Sequence, residues 1–473
     1  MGEKAGKLNG SITVFLSLTL SFLLLMILTF NALCIGNAEK MRFEIASDTA
    51  FNSVLGEYSK YLKDRFDLLY VDSSYLSGNP GADRVENRLM LYMKKNSEEV
   101  LSTLGSPWGN IRVDGCMIED FETASGGDGL NMASQAVRYV HDSPHTLDLQ
   151  YEALEVMMNA PVASALDGQD PMEEINGYME SLLGMELPKK KNEKGIWIEV
   201  PLSNPADWVY GLMGSDILYL AEASDLNISS AIIDTDGLIS HRGAVNTGSG
   251  KEDYEYSEEA YIAYLLDKFG CYKNEMEETP LKCSLEYIAV GNCSDYENFK
   301  EAVMRIFKWR LIDNLRLAFS DGRLKGEATA AALLLEVCTL NPAFIQPVAD
   351  TIIAACAFLE TISDLRVILS EGRIPLVKSS HNMSVANILT GNIYHASSDE
   401  GLNYRQYVEI MIINMGVNEK ILRTMDLMEI ETRLNTGNQC FCMDWCLEEI
   451  TANISASGSG LERYRIKRKY GYF

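Results

Sequence analysis

The sequence is short of positive charge: 41 Lys and Arg stand against 67 Asp and Glu, a net charge of −26. Nucleic-acid binding needs a basic face to neutralise phosphates, so this balance argues against it. It also disfavours contact with anionic lipid headgroups and suits a domain that stays soluble outside the cell. Catalytic motifs are lacking too. No Gly-x-Ser-x-Gly elbow is present. Gly248-Ser-Gly-Lys251 fails as a phosphate loop, because Val245 replaces the first glycine and Glu252 the hydroxyl residue. His141-Asp-Ser-Pro-His145 has the spacing of a helical zinc pair, but Pro144 interrupts it and no Glu follows His141. Asp234-Thr-Asp-Gly237 lacks the remaining ligands of a calcium loop and reads as a turn.

The ten cysteines show no regular spacing that would mark a disulfide scaffold. Cys283 and Cys293 are a pair that export would allow to oxidise. Cys338 and Cys356 read as buried thiols in apolar helices. Cys440, Cys442 and Cys446 would share one face of a strand, where a disulfide or plain packing accounts for them better than a metal. No catalytic residue, metal or cofactor is assigned, and an enzyme is the least favoured class.

Charge is absent altogether from Ser11 to Ile35, a run long enough to cross a bilayer, which takes roughly 20 apolar residues. Signal-peptide cores are shorter, about 7–15 residues. A lipoprotein signal would need a small residue before Cys34, where Leu33 stands. A permanent transmembrane helix is the expectation. Lys4 and Lys7 favour a cytoplasmic N-terminus, although Lys40 and Arg42 flank the other end. The short N-terminal tail decides for an extracytoplasmic C-terminal part. Thr13, Ser17, Ser21 and Thr29 lie on one i, i+4 line and form a candidate docking face for another membrane helix. The alternative is that each hydroxyl bonds back to its own helix.

No proline interrupts residues 12 to 67, and an apolar stripe continues through Ile45, Phe51, Val54, Leu55, Leu62 and Phe66. One rod over this span would be on the order of 80 Å long. A break at Gly36 is the alternative.

Beyond it, 47% apolar residues and 23 tyrosines support a sizeable core. The spacing predicts a strand at Ile111–Ile118, a break at Gly126–Gly129 and helices near Met132–Tyr139 and Leu149–Ala160, the latter stopped by Pro161. Residues 161–193 read as a linker or insertion, 231–240 as two extended pieces, and 242–257 as a mobile loop. A helix at Ser257–Phe269 precedes Cys283–Val290, the clearest strand. Ser294-Asp-Tyr-Glu297 reads as a capping box that opens a helix through Ile312. Residues 327–369 are strongly apolar, but Glu336, Pro342, Pro347 and Asp350 cut them into buried helices too short to span a membrane. Helices are expected at about 404–415 and 418–434, and a final strand within Gln439–Ser455.

Glu360 and Asp364 lie one turn apart on an apolar helix, where like charges repel. With Arg310 and Arg366 they form a candidate buried polar network, expected to be structural, with a metal or substrate site as the alternative.

Gly10-Ser-Ile-Thr-Val-Phe-Leu-Ser-Leu18 resembles the opening of TadE/TadG-like proteins, which belong to bacterial Tad (Flp, type IV-like) pilus loci. Four further stretches resemble an uncharacterised single-pass family found with those loci. They are Leu285–Ile288 with Gly291, Ser294–Asn298, Arg310 and Asn314; Phe358–Glu360 with Asp364, Arg366, Leu369 and Pro375–Lys378; Leu402–Val408; and Arg423–Leu427. The resemblance implies an exported, membrane-anchored protein of a pilus or secretion locus, with assembly proteins as partners, and implies no reaction. Pilin subunits carry Glu at the fifth position after the cleaved glycine; counted from Gly10 that position is Phe15, which argues against pilin-type processing.

The expected fold is α+β: a long N-terminal transmembrane helix continuing into a helix-rich exported domain with a small mixed or antiparallel sheet. The expected division is a tail (1–10), a transmembrane helix (11–36), its extension (37–67), a first exported part (68–160), the linker (161–193) and a main domain (194–473). The expected function is that of an accessory or structural component of a Tad-like apparatus; the alternative is an anchored extracytoplasmic binding or sensing domain.

Overall fold

In the computed structural model, helix α1 (Gly6–Leu55) runs unbroken through Gly36. The structure describes residues 6–76, 80–99, 111–183, 189–191, 194–199, 211, 215–221, 228–242, 256–277, 279–334, 341–386, 400–458 and 463–472. The first half of α1 has no protein cover: its most apolar stretch has a mean hydropathy of 2.4 and none of it is buried. Phe15, Phe22 and Phe30 are each 68% exposed. Among the described residues it is the one helix long and apolar enough to cross a membrane. The second half is core, with Phe43, Ala46, Ala50, Phe51 and Val54 buried.

The rod stops earlier than its apolar stripe predicts. Gly56 opens a turn after Leu55, and Ser59 caps a new helix, α2 (Lys60–Phe66), by accepting from the Leu62 amide. Asp67 closes α2 in a left-handed conformation. The chain continues through β1 (Val71–Asp72), α3 (Ala82–Lys94) and β2 (Arg112–Thr123). A turn over residues 124–129, which contains Gly126–Gly129, follows.

The contacts divide the described residues into two units: one up to Met132 and again from Met428, the other from Ala133 to Leu427. The second unit is helical. Its main helices are α4 (Leu130–Asp142, beginning at the boundary), α5 (Leu147–Met157), α6 (Ala160–Asp167), α7 (Pro171–Leu183), α8 (Glu258–Lys268), α9 (Ser284–Val290), α10 (Asp295–Ser320), α11 (Gly322–Leu334), α12 (Ile345–Leu369) and α13 (Tyr404–Asn414). A small hairpin pairs Lys189–Lys191 with Trp197–Glu199. Helix α12 is apolar on every side, as a central helix must be, and it packs on α10, α11 and α7. Phe307 meets Phe358 edge-on at 5.7 Å, and Tyr178 stacks on Phe319 at 4.7 Å.

The structure departs from several of the sequence-based expectations. Cys283–Val290 is not a strand but helix α9, because a short apolar run fits either state. Gly291, at φ 88°, ends it in the left-handed region. The capping box at Ser294 does not close, since Ser294 makes no side-chain cap bond. The Asp295 carboxylate instead accepts from the Lys282 and Cys283 amides at 2.9 and 3.1 Å. Pro161 starts α6 as well as following α5, as the first turn of a helix permits. Residues 161–193, expected as a weakly patterned linker or insertion, hold most of α6 and all of α7. Residues 231–240 contain one bridge, Ile232 to Ser294, an Asx turn at Asp234 and a short helix at Ile239–Arg242. Most of the expected loop at 242–257, with Gly248–Lys251, lies outside the described residues, as does Cys338.

Helix α14 (Val417–Thr436) carries the chain out of the second unit, and the first unit is completed by β3 (Cys446–Ser457) and β4 (Arg463–Gly471). Strand β3 is central. It pairs antiparallel with β1, with β2 from Arg112↔Ser457 to Thr123↔Leu447, and with β4 from Glu449↔Gly471 to Ser457↔Arg463. Every second residue of β3 from Ile450 to Ala456 is buried, the period of a sheet with one face on a core. That core comprises Phe43, Phe51 and Val54 of α1, Val85 and Leu89 of α3, and Ile450, Ile454 and Ile466. The last residues therefore belong with the first rather than with one 194–473 domain. The fold is α+β, a helical domain with a small antiparallel sheet and a long apolar N-terminal helix.

If the second half of α1 is core and not merely a tether, Phe51→Ala should cost about 3–5 kcal/mol. Denaturant unfolding of the detergent-solubilised full chain measures this.

Candidate functional site

The most concentrated buried polar chemistry lies where α10, α12 and residues 374–378 meet. Arg310 of α10 is fully buried, and all five of its N–H groups are used. Nε donates to Asp364 Oδ2 at 3.0 Å. Nη1 donates to the Pro375 and Leu376 carbonyls at 3.0 and 2.7 Å. Nη2 donates to Asp313 Oδ2 at 3.0 Å and Asn314 Oδ1 at 3.3 Å. Lys378 reaches Glu360 Oε1 at 2.9 Å and Asp364 Oδ1 at 2.5 Å. Asn314 donates to Asp364 Oδ2 at 2.9 Å and to Thr361 Oγ1 at 3.0 Å. Asp313 also accepts from the Lys378 amide at 2.8 Å and from Arg316 at 2.8 Å.

The charges balance: Arg310, Lys378 and Arg316 face Asp313, Asp364 and Glu360. Burial alone would lower the pKa of Arg310, but Asp364, with Tyr407 and Asp313 behind it, pushes it further up. Burial pushes the Tyr407 hydroxyl up as well; it donates to the Ile374 carbonyl at 3.0 Å. A cluster with its donors and acceptors used in this way leaves little to offer a ligand. Its effect is to lock two helices and a loop in one arrangement.

Arg310, Glu360 and Asp364 are thus brought together, while Arg366 is not. Its guanidinium donates to the Leu220 carbonyl at 3.1 and 2.9 Å. Asp313 and Lys378 were missed. Asp313 stands at i+3 from Arg310, a helical neighbour that spacing could have found. Lys378 ends the Pro375–Lys378 stretch, but nothing local indicates that its chain turns back onto α12. A second segment presses on that stretch: Leu402 bridges Ile374, and at Gly401, with φ 114°, a Cβ would stand 2.2 Å from the Pro375 nitrogen.

Next to this cluster Trp309 donates to Asp167 Oδ1 at 2.6 Å and floors a groove of about 490 Å³. Asp167, Asp170, Glu301, Arg305 and Lys308 also line it. Among the described residues Arg305 and Lys308 have no hydrogen-bond or ion-pair partner. The groove can therefore offer two cations and several carboxylates to a polar ligand.

Two buried glutamates complete the picture. Glu286 accepts from the Tyr272 amide at 2.8 Å and the Tyr404 hydroxyl at 3.0 Å, and burial raises its pKa to about 7. Burial, with Glu152 adding to it, raises Glu409 to about 8 against the opposing Arg405.

The other candidates stay separate. His145 lies near Tyr139 (3.1 Å) and Asp267 (3.6 Å) on the surface. No group of His, Cys, Asp or Glu among the described residues is arranged to hold a metal. Cys283, Cys293, Cys440, Cys442 and Cys446 are free thiols, and only Cys446 of the last three is on a strand. Ser17, Ser21 and Thr29 bond back to the carbonyls of Val14, Ser17 and Leu25 at 2.8–2.9 Å, and with Thr13 they remain exposed.

Asp364→Asn leaves buried cations uncompensated and should cost about 3–5 kcal/mol in denaturant unfolding. Arg366→Gln, outside the cluster, should cost less. A carboxyl with a raised folded pKa stabilises fully below its unfolded pKa, and that stability is lost as pH rises through the folded value. The Tm should therefore rise as pH falls from about 8.5 to about 6. Glu409→Gln, neutral throughout, should flatten that slope in a thermal scan followed by circular dichroism.

No curated protein and no solved structure matches the chain. A family model does match, over residues 195–458, more than half of the sequence and including the whole Arg310–Lys378 cluster. The chain belongs to the family of unknown function DUF5702.

Proposed function

We propose that this protein is a membrane-anchored accessory or structural component of a Tad-like pilus or secretion apparatus. The observation that carries the reading is the division of α1. Its apolar first half is wholly uncovered, and its second half is core of the first unit. An uncovered apolar helix of that length needs lipid or partner helices around it. The resemblance of Gly10–Leu18 to TadE/TadG-like openings supplies the choice of apparatus. Lys4 and Lys7 favour a cytoplasmic N-terminal flank and an extracytoplasmic remainder. Ser17, Ser21 and Thr29 bond back to their own helix, and the slim, exposed line they leave with Thr13 is where a partner membrane helix would pack closely.

The second reading is an anchored binding or sensing domain, and the groove beside Trp309, where Arg305 and Lys308 have no partner among the described residues, favours it. A polar ligand bound by the purified chain and lost in Arg305→Gln would select this reading.

Two measurements test the first reading. A deletion strain is expected to lose surface pili, and normal piliation contradicts the assignment. Cys293 is exposed, unlike buried Cys283, so a membrane-impermeant thiol reagent should label it from outside intact cells. Labelling only after lysis would reverse the orientation.

A further inference from the structure

The first unit is fixed at a definite height on α1. The Tyr464 hydroxyl lies 3.3 Å from the Gly36 carbonyl and 3.1 Å from Oε2 of Glu39, the first charged residue after the apolar run. Gly458, at the end of β3, lies so close that a Cβ there would stand 2.3 Å from Glu39 Oε2. From that point β4 follows α1 away from its apolar half. Arg468 meets Asp48 at 3.2 Å, Tyr470 stacks on Phe51 at 5.0 Å, and the Tyr472 hydroxyl donates to the Leu55 carbonyl at 2.6 Å.

The other face of β4 is basic: Arg463, Arg465, Lys467 and Lys469 alternate outward and are exposed. Their pairing changes along the strand. Far from the apolar run, Lys469 pairs with Glu449 at 2.5 Å and Lys467 with Glu119 at 2.7 Å. At the near end, Arg463 and Arg465 have no partner among the described residues, and neither has exposed Lys40 of α1. Arg112 stands in register with Ser457 and Arg463. It makes only a 3.9 Å contact with Asp114, which Ser457 also engages. In a chain of net charge −26, Arg463 and Arg465, unpaired among the described residues, and the loosely paired Arg112 thus gather where the apolar helix leaves the sheet.

We infer that this edge, Arg463 and Arg465 with Arg112 and Lys40, binds the phosphate headgroups of anionic lipids in the leaflet facing the first unit. The inference rests on the reading that α1 crosses a membrane and holds for either orientation. The polar layer of a bilayer adds about 5–7 Å on each side of its hydrocarbon, within an arginine's reach of the Gly36–Glu39 level. Guanidinium groups match phosphate oxygens in paired hydrogen bonds. The net acidity disfavours such contact for the chain as a whole, but at this edge charges beyond roughly 8–10 Å are screened.

The test uses the full chain reconstituted into nanodiscs containing phosphatidylcholine and phosphatidylglycerol in equal parts. The lipids retained after detergent extraction are counted by mass spectrometry. Wild type should retain phosphatidylglycerol preferentially, and Arg463→Gln and Arg465→Gln should each reduce that preference by about fivefold at most. Lys469→Gln, distal and paired, should leave it unchanged, and matching thermal unfolding should show that all variants are folded. Equal retention by wild type, or equal loss in Lys469→Gln, overturns the inference while leaving the anchor intact. An acidic protein captured through the same arginines, without lipid preference, also overturns it. A chain that never enters the discs overturns the anchor reading as well.

Discussion

One backbone hydrogen-bond ladder in α1 has to serve two solvents. Its first half exposes leucine, isoleucine and phenylalanine on all sides; its second half buries Phe43, Ala46, Ala50, Phe51 and Val54 against a sheet and a helix. A helix satisfies its own amides and carbonyls, so it can pass between these surroundings without leaving a backbone group unpaired. No glycine or proline effect interrupts it at Gly36. The first unit is therefore built around the continuation of the apolar helix, and its position along α1 follows from the Tyr464 and Gly458 contacts.

The second unit obtains its order differently. Helices α10 and α12 pack through apolar faces, but apolar packing is tolerant of small shifts. The Arg310 cluster is not: five directed donors fit their acceptors in one arrangement only. Such clusters add little net stability over an apolar core of the same shape, yet losing one partner is costly. The cluster is best understood as a specificity device for the helical unit. The chemistry left open to solvent lies beside it, in the groove floored by Trp309.

Much of this was legible in the sequence. The uncharged run, the apolar helix over 345–369 and the polar residues upon it carried strong local signals. Glu360 and Asp364 stood out because carboxylates are rare on such a helix. The failures were non-local. Cys283–Val290 is apolar enough for strand or helix, and only Gly291 and the packing decide. Lys378 joins the cluster through a chain reversal that its neighbours do not encode. Strand β4 went unseen because Arg463–Gly471 alternates cations with tyrosines, Ile466 and Arg468, and its buried face is apparent only once α1 is beside it. The return of the C-terminus to the N-terminal unit is a pairing across more than three hundred residues, which no local pattern reports.

The central claim is that α1 is a continuous helix, held by lipid in its first half and by the first unit in its second. Backbone hydrogen exchange of the full chain in nanodiscs tests it most directly. The account predicts protection from Ile12 through Leu55 with no gap at Gly36. Fast exchange confined to residues around Gly36 would reveal a hinge, and fast exchange from Ile12 to Ile35 would show that this half is not in the bilayer; either result contradicts the account.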